Sequence, residues 1–224
     1  MGRATAVLLA KLGANVMVAG LDRQHLLDAL HDIKTVATGN VHGVLADLST
    51  ESGIEKLFAD AAASFGKLDV LVNNAALPFG NAEEGNYTDW SRIVSTNLLA
   101  YIACSAEAVK IMDGDGHIVN IGSMSADVRE ETGSVYVATK SGVQGFSEAF
   151  RKATNKQGIK VTLIEPGAVD TDMQPQSGTE KLKMVTAMEM LTADDVAASI
   201  LYCLSQPKRC DVVELKIRPH LQRI

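Results

Sequence analysis

Short apolar runs alternate with longer amphipathic stretches along almost the whole chain. Each apolar run is bounded by polar or small residues, which is typical of buried β-strands. The predicted strands lie at 15–19, 41–46, 68–74, 117–122, 159–166 and 211–217. Between them, apolar residues recur at helical spacing. The predicted helices lie near 3–12, 22–32, 49–65, 88–111, 134–157 and 192–204.

Strands that are apolar throughout and joined by helices indicate a parallel sheet with helices on both faces. No internal repeat, linker or low-complexity segment divides the chain, so we predict one domain over residues 1–224. The predicted fold class is α/β, a Rossmann-like doubly wound parallel sheet. Ligands of such sheets bind outside the carboxyl ends of the strands, so the residues that follow the strands are the functional candidates.

Composition narrows the classes of function. The 224 residues carry a formal net charge of −6 without a basic block, which disfavours nucleic acid and membranes as partners. Cys104, Cys203 and Cys210 lie far apart, so we expect neither a disulfide framework nor a metal site. No apolar run reaches the ~18 residues of a membrane span, and no signal-peptide pattern is evident. We therefore expect a cytoplasmic protein.

Small and polar residues follow three of the predicted strands. They are Asn73-Asn74-Ala75-Ala76, Gly122-Ser123 and Pro166-Gly167-Ala168-Val169-Asp170-Thr171. The helix near 134–157 carries Tyr136 and Lys140 one turn apart on the same face. An ammonium beside a phenol stabilises the tyrosinate, so we expect Lys140 to lower the Tyr136 pKa from about 10. A Y-x-x-x-K pattern alone is weak, because it also occurs as an exposed helix pair.

Taken together, these motifs resemble the short-chain dehydrogenase/reductase family. The residues that match the family's catalytic set in order and spacing are Asn97, Ser123, Tyr136 and Lys140. The resemblance covers residues 2–219. The segments 163–173 and 211–219 are most similar to the NADP-dependent branch of 3-hydroxy-acid and clavulanate-type dehydrogenases.

The resemblance implies an oxidoreductase that transfers a hydride between NADP(H) and a small alcohol or carbonyl substrate. Tyr136 would be the general acid in reduction and the base in oxidation, and Ser123 would hydrogen-bond the substrate carbonyl. Lys140 would hold the nicotinamide ribose, and Asn97 would order a water that links Lys140 to solvent. Plainer roles stay open, with Ser123 as a turn hydroxyl and Asn97 on an exposed helix face.

A dinucleotide site along the strand ends is implied by the same resemblance. The implied contacts are Asp47 and Leu48 beside the adenine, Asn74 and Ala75 on the adenosine side, Val169 and Thr171 at the carboxamide, and Gly2, Pro166, Tyr136 and Lys140 along the rest of the cofactor. For Asp47, capping the helix that begins near Ser49 is the alternative.

The end of the strand at 15–19 bears on the choice between NADP and NAD. Gly20 stands where NAD-preferring members of the family carry an acidic residue, which favours NADP and leaves NAD open. Arg23 or Arg3 would meet the 2′-phosphate of NADP, whereas Asp22 would repel it.

The chain departs from the family at its start. The family begins with a strand and a T-G-x-x-x-G-I-G loop, whose glycines let the backbone approach the pyrophosphate. Here Met1 and Gly2 match the end of that loop, and the usual first strand is lacking. Because that strand is central in the family's sheet, we expect its two neighbours to be unpaired. Three explanations stay open: a recorded start that is too late, a fragment of an active enzyme, and a truncated, catalytically inactive member that acts as a binding or subunit partner.

Two segments concern the substrate and the assembly. Residues 173–191 are rich in methionine and predict either a flexible apolar lid or ordinary packing. In the family, the helices that match 88–111 and 134–157 pair across subunits, which implies a homodimer or homotetramer.

Overall fold

The computed structural model describes residues 1–222 of the chain. The strands are β1 (Val16–Gly20), β2 (Val41–Leu45), β3 (Val70–Asn73), β4 (Gly116–Ile121), β5 (Ile159–Pro166) and β6 (Glu214–Ile217). The helices are α1 (Gly2–Lys11), α2 (Arg23–Val36), α3 (Glu51–Phe65), α4 (Tyr87–Val94), α5 (Ala100–Ile111), α6 (Ser125–Val128), α7 (Ser134–Thr154), α8 (Gly178–Thr186) and α9 (Ala193–Leu204). Short 3₁₀ turns lie at Ala82–Glu84 and Asn155–Gln157, and a π-helical turn lies at Ser95–Leu99.

All strand pairs are parallel, which confirms the predicted α/β, Rossmann-like fold class. The sheet, however, is in two parts. β1 pairs with β2, and β3, β4, β5 and β6 pair in that order. Within the described residues, β1 and β3 share no ladder of hydrogen bonds. This division is the one expected from the departure at the start of the sequence.

A cavity of about 570 Å³, here called the inter-sheet cavity, lies between β1 and β3. Residues 16–19 and 70–73 form its two long walls, and apolar side chains of α1 and α3 complete it. The facing edges of both strands therefore carry backbone groups that no neighbouring strand pairs.

The core is built around β4 and β5, at the centre of the larger sheet. On one face Ile118 and Val161 pack against α3 and α5. On the other face Val119 and Ile164 pack against α9. Every residue of β4 is buried. Covered on both faces and paired on both edges, these two strands hold the loops at their carboxyl ends in place.

Capping residues set the helix starts. Asp22 caps α2, which runs past its predicted end at 32. Thr50 caps α3, so that helix begins two residues later than the predicted Ser49. Thr192 and Asp195 form the capping box that the T-x-x-D pattern predicts.

Some predicted elements differ in extent. The predicted helix 88–111 is broken into α4, the π-helical turn and α5. The last strand begins at Glu214 rather than at 211, and α6 and α8 were not predicted. Single π-helical turns add one residue to a helical turn and are frequent at functional sites. None of the helices within residues 1–222 combines the length and apolar character needed to cross a bilayer.

The methionine-rich segment 173–191 contains α8, which begins at a capping box of Ser177 and Glu180. Met190 is buried in the core, whereas Leu182 and Met188 are largely exposed. The segment is therefore a short helix on the surface with mixed packing, and most of its apolar side chains do not face a ligand cavity.

Candidate active site

The carboxyl ends of β4 and β5 enclose a second cavity of about 350 Å³, here called the strand-end cavity. The predicted site residues that line it are Ser123, Tyr136, Pro166, Val169 and Thr171. Other side chains in its wall are Phe79, Glu130, Met173, Gln174 and Gln222. The structure thus brings together, from three separate parts of the sequence, the residues that the resemblance placed at the substrate and nicotinamide.

Tyr136 and Ser123 both line this cavity, and the Ser123 hydroxyl is close enough to the phenol to influence its pKa. The Ser123 Oγ also accepts a hydrogen bond from the Ser125 backbone N–H at 3.1 Å. Burial raises the pKa of Tyr136, and the hydrogen bond with Ser123 opposes that rise. The sequence predicts a lowered pKa because of Lys140. The structure shows the opposite direction, because burial disfavours the tyrosinate more than its neighbours stabilise it.

Lys140 is buried below this pair, on the same helix as Tyr136. Its Nζ donates a hydrogen bond to the Ile121 backbone carbonyl oxygen at 2.8 Å. The same atom lies 5.8 Å from the centre of the Tyr136 ring and 5.3 Å from that of Tyr101. Burial lowers the pKa of Lys140 to about 7, and the carboxyl group of Glu165 opposes this shift.

Asn97 lies in the π-helical turn and is fully buried, so the alternative of an exposed helix residue is wrong. Its Oδ1 accepts a hydrogen bond from the Leu77 N–H at 2.8 Å, and its Nδ2 donates to the Leu77 carbonyl oxygen at 2.9 Å. Nδ2 also donates to Thr139 Oγ1 at 3.4 Å. The amide therefore ties the loop after β3 to α7, one residue from Lys140. Its role in ordering a water stays a prediction.

A buried chain of polar side chains supports the site from below, and the sequence analysis missed it. Asn73 Nδ2 donates to Ser105 Oγ at 3.1 Å and to Asn120 Oδ1 at 2.8 Å. Asn120 Nδ2 in turn donates to Ser147 Oγ at 2.9 Å. A signal was present, because Asn120 interrupts an otherwise apolar strand and a buried amide needs partners. The chain links β3 and β4 to α5 and α7.

Gly2, Asn74 and Ala75 lie together, but they line the inter-sheet cavity rather than the strand-end cavity. A Cβ atom on Gly2 would lie 2.8 Å from Asn74 Nδ2, so a larger residue here would displace the Asn74 amide. Asn74 Oδ1 is buried and accepts no hydrogen bond within residues 1–222. An orphan acceptor beside a closely approaching backbone fits a hydroxyl or amino group of a dinucleotide that runs along the strand ends.

Asp47 and Leu48 lie just after β2, as predicted, and both have structural contacts. Asp47 Oδ1 accepts hydrogen bonds from the Ser49 N–H at 2.9 Å and from Ser49 Oγ at 2.7 Å. These bonds hold the pKa of Asp47 below its usual range. Asp47 therefore shapes the turn before α3, while Thr50 supplies the cap. Leu48 packs against the core beside the inter-sheet cavity. Contact of either residue with adenine stays a prediction.

The loop after β5 is fixed at two points. Val169 is buried and forms a parallel bridge with Leu191. Lys181 of α8 lies with its Nζ 3.0 Å from Asp170 Oδ1 and donates a hydrogen bond to the Thr171 carbonyl oxygen at 3.1 Å. Sequence reasoning missed Lys181, because its contacts depend on how α8 docks.

The two arginines proposed for the 2′-phosphate differ in their surroundings. Arg3 Nη1 lies 3.2 Å from Asp32 Oδ2, so its charge is already paired. Arg23 is exposed at the start of α2 and forms no ion pair within the part of the chain that the structure describes. Arg23 is therefore the better placed of the two.

Comparisons with known proteins agree with this architecture. The family model for short chain dehydrogenases matches residues 1–182. An uncharacterized oxidoreductase of Staphylococcus aureus (strain MRSA252) is 30% identical over 222 residues, which cover 98% of this chain and 92% of that protein.

Solved structures give the same result. A short-chain dehydrogenase/reductase from Serratia marcescens BCRC 10948 has a TM-score of 0.86 and 27% identity, over 99% of this chain and 93% of that one. A short chain dehydrogenase from Burkholderia cenocepacia J2315, in complex with NADP, has a TM-score of 0.86 and 26% identity, over 97% of this chain and 91% of that one.

Proposed function

Because the chain belongs to the short-chain dehydrogenase/reductase family, we propose that it interconverts an alcohol and a carbonyl compound with NADP(H), and that Tyr136 is the general acid and base. One observation carries the proposal. The Tyr136 phenol and the Ser123 hydroxyl line the same cavity at the strand ends, where Ser123 lowers the pKa of Tyr136 against the effect of burial. Both groups are thus in position to bind one substrate oxygen.

In reduction, the substrate oxygen would lie between these two hydroxyls and accept a hydrogen bond from each. The nicotinamide, when bound, supplies the hydride. Ser123 stabilises the charge that develops on the oxygen, and Tyr136 gives it a proton. Because the raised pKa keeps Tyr136 protonated at neutral pH, this resting form is suited to reduction. In oxidation Tyr136 must first lose its proton.

NADP is the proposed cofactor, and the Burkholderia relative in complex with NADP supports this choice. Val169 and Thr171 would contact the carboxamide, and Asn74 Oδ1 would accept a hydrogen bond from the adenosine side. Arg23 would meet the 2′-phosphate, since no carboxylate stands at Gly20 to take a ribose hydroxyl.

The strand-end cavity favours a neutral substrate. Glu130 lies in its wall, and no lysine or arginine of residues 1–222 lines it. A substrate carboxylate would therefore lack a cationic side chain as partner and would meet the like charge of Glu130. We infer a small, uncharged ketone or aldehyde and its alcohol, in preference to the 3-hydroxy acid that the sequence resemblance suggests.

A homodimer or homotetramer is proposed through α5 and α7. Leu99, Ile102 and Gly145 support it, because the first two are exposed apolar residues and Gly145 faces open space. Ala100 and Ala108 are buried within their own chain and would not contribute. Light scattering of the native chain and of Gly145→Gln tests this, with a monomer expected only for the variant. A native monomer contradicts it.

A non-catalytic binding or subunit role is the second candidate. The division of the sheet favours this role, because Gly2 and Asn74, two of the proposed dinucleotide contacts, lie beside the inter-sheet cavity. Loss of order along the facing edges of β1 and β3 would weaken dinucleotide binding.

The experiment that separates the two candidates uses NADPH and a panel of neutral and anionic carbonyl compounds. We expect consumption of NADPH with neutral compounds, and its loss in Tyr136→Phe. The control is Tyr202→Phe, which changes an exposed tyrosine on α9. NADPH binding measured by calorimetry completes the test. Binding without turnover, or no binding at all, supports the second candidate.

A further inference from the structure

Glu165 is a buried carboxyl group that the proposed mechanism does not use. It is the second-last residue of β5, it is 0% exposed, and neither carboxylate oxygen accepts a hydrogen bond within residues 1–222. It does not line the strand-end cavity, so it is not placed to bind substrate. A buried carboxyl group without hydrogen bonds is costly, which makes Glu165 a candidate for a functional role.

The side chain of Glu165 lies directly below the turn that carries Ser123. A Cβ atom on Gly122 would lie 3.0 Å from Glu165 Cγ and 3.2 Å from Glu165 Oε1. The turn therefore approaches the carboxyl group as closely as a glycine allows. Lys140 Nζ donates to the carbonyl oxygen of Ile121, the residue before Gly122. Glu165 and Lys140 thus contact consecutive residues at the end of β4.

Glu165 is connected to the surface through Lys216, its register partner on β6. Lys216 Nζ lies 3.5 Å from Glu165 Oε2 and 2.8 Å from Glu214 Oε1, and it also contacts Asp127 of α6. Because three carboxyl groups share this one ammonium, it neutralises Glu165 only in part. Within residues 1–222, Glu165 also acts on a second cation, because its carboxyl group raises the pKa of the buried Lys140.

We propose that Glu165 is a positioning residue for the candidate active site, whose carboxylate favours the charged form of the buried Lys140 and helps to hold it below the Ser123 turn. The expected effect on turnover rests on the proposed function, whereas the expected effect on Lys140 does not. Burial disfavours both charges, since it lowers the pKa of Lys140 and raises the pKa of Glu165, each to about 7, and the carboxylate form of Glu165 favours the ammonium form of Lys140. The titratable groups that face Glu165 or its partners are Lys140 and Tyr136 of α7, Asp127 of α6, and Glu214 and Lys216 of β6.

The direct test titrates Lys140 in the intact chain, with lysine labelled by ¹³C at Cε and the Lys140 signal identified by its loss in Lys140→Arg. In Glu165→Gln, which keeps the size but removes the charge, we expect the midpoint of the Lys140 titration to fall by roughly one pH unit or more. Glu165→Asp should restore most of the shift. Glu214→Gln removes an exposed carboxylate from the same Lys216 and should leave the midpoint near the native value.

The second measurement is the pH profile of kcat/KM for the carbonyl reaction. In Glu165→Gln the alkaline limb should move to lower pH, because Lys140 loses its proton sooner. A merely structural role would lower the melting temperature without moving the Lys140 midpoint, and that outcome overturns the inference. A shifted midpoint in a chain without turnover leaves the inference standing and contradicts the proposed function instead. Should Glu165→Gln fail to fold, Glu165→Met takes its place, since it also removes the charge at similar size, and an unchanged Lys140 midpoint in that variant contradicts the inference.

Discussion

The ammonium of Lys181 lies 3.0 Å from the carboxylate of Asp170 and hydrogen-bonds the next carbonyl group along the chain, that of Thr171. Lys181 itself is 9% exposed. One side chain thus fastens α8 to the loop that carries the proposed nicotinamide contacts.

Lys181→Met should release α8 from this loop. We expect the KM for NADPH to rise about tenfold, because Thr171 is no longer held in place, and the free energy of unfolding to fall by about 1 kcal/mol. Steady-state kinetics and faster proteolysis within 173–191 check this. The control is Lys183→Met, which changes an exposed lysine of the same helix. Equal KM values and equal proteolysis rates in the two variants would contradict a role of Lys181 in holding the loop.

Ser123→Ala should move the Tyr136 pKa further upward. The hydrogen bond with Ser123 is the contact that lowers this pKa against the effect of burial, so its removal favours the phenol. The rate of reduction should fall about 100-fold, as for loss of one donor to a developing oxyanion. A titration of tyrosinate absorbance, with Tyr136→Phe subtracted, measures the shift. Ser199→Ala on α9 should change neither quantity, and an unchanged Tyr136 pKa in Ser123→Ala would refute the pairing.

His117 should make the fold sensitive to acid. It is buried in β4, its Nε2 lies 2.8 Å from Thr162 Oγ1, and burial lowers its pKa to about 4 from 6.5. As the pH falls, His117 binds a proton in the unfolded chain at a higher pH than in the folded chain. The contribution of His117 to the free energy of unfolding is therefore fully present above pH 6.5 and is lost as the pH falls towards 4. The loss is ~1.4 kcal/mol per pH unit at most, or roughly 2–3 kcal/mol in all.

Chemical denaturation from pH 7 to pH 4 tests the role of His117. His117→Gln should flatten the slope, since an amide at this position has no proton to gain. His31→Gln on α2 changes an exposed histidine and should keep the native slope. A native slope in His117→Gln would show that another group governs the acid sensitivity.

Arg23→Ala should reduce the preference for NADPH over NADH. The arginine is exposed and without an ion pair in residues 1–222, so its charge is available to a 2′-phosphate. We expect the ratio of kcat/KM for the two cofactors to fall about tenfold, in line with the loss of a charge-assisted hydrogen bond. Arg3→Ala should have the smaller effect, because Arg3 is bound to Asp32. The reverse order of effects would assign the phosphate to Arg3.

Hydrogen exchange should differ between the two parts of the sheet. β4 and β5 are paired on both edges, whereas β1 and β3 are paired on one. Local opening of β1 and β3 therefore breaks fewer hydrogen bonds, and their amides should exchange at least about tenfold faster. Mass spectrometry of exchanged peptides that contain 16–20 and 70–73, against 116–121, measures this. Equal protection of these peptides would mean that the inter-sheet cavity does not destabilise β1 and β3.

The sequence by itself determined the alternation of strands and helices and the order of the candidate catalytic residues. Both depend on information carried by near neighbours. Burial periodicity marks β4 and β5, and a one-turn spacing puts Tyr136 and Lys140 on one face. The caps at Thr192 and Asp22 are marked by a side-chain oxygen that can accept a hydrogen bond from the backbone N–H three residues later.

Only the tertiary structure decided how these residues behave. The direction of the Tyr136 pKa depends on how much water the folded chain removes, and burial overrode the effect expected from Lys140. The contacts of Glu165 with Gly122 and of Lys181 with Thr171 join residues that are separated in the sequence and meet only when the chain folds. No local sequence pattern therefore marks these contacts. The inter-sheet cavity has the same origin, because pairing between strands is settled by which edges meet in space.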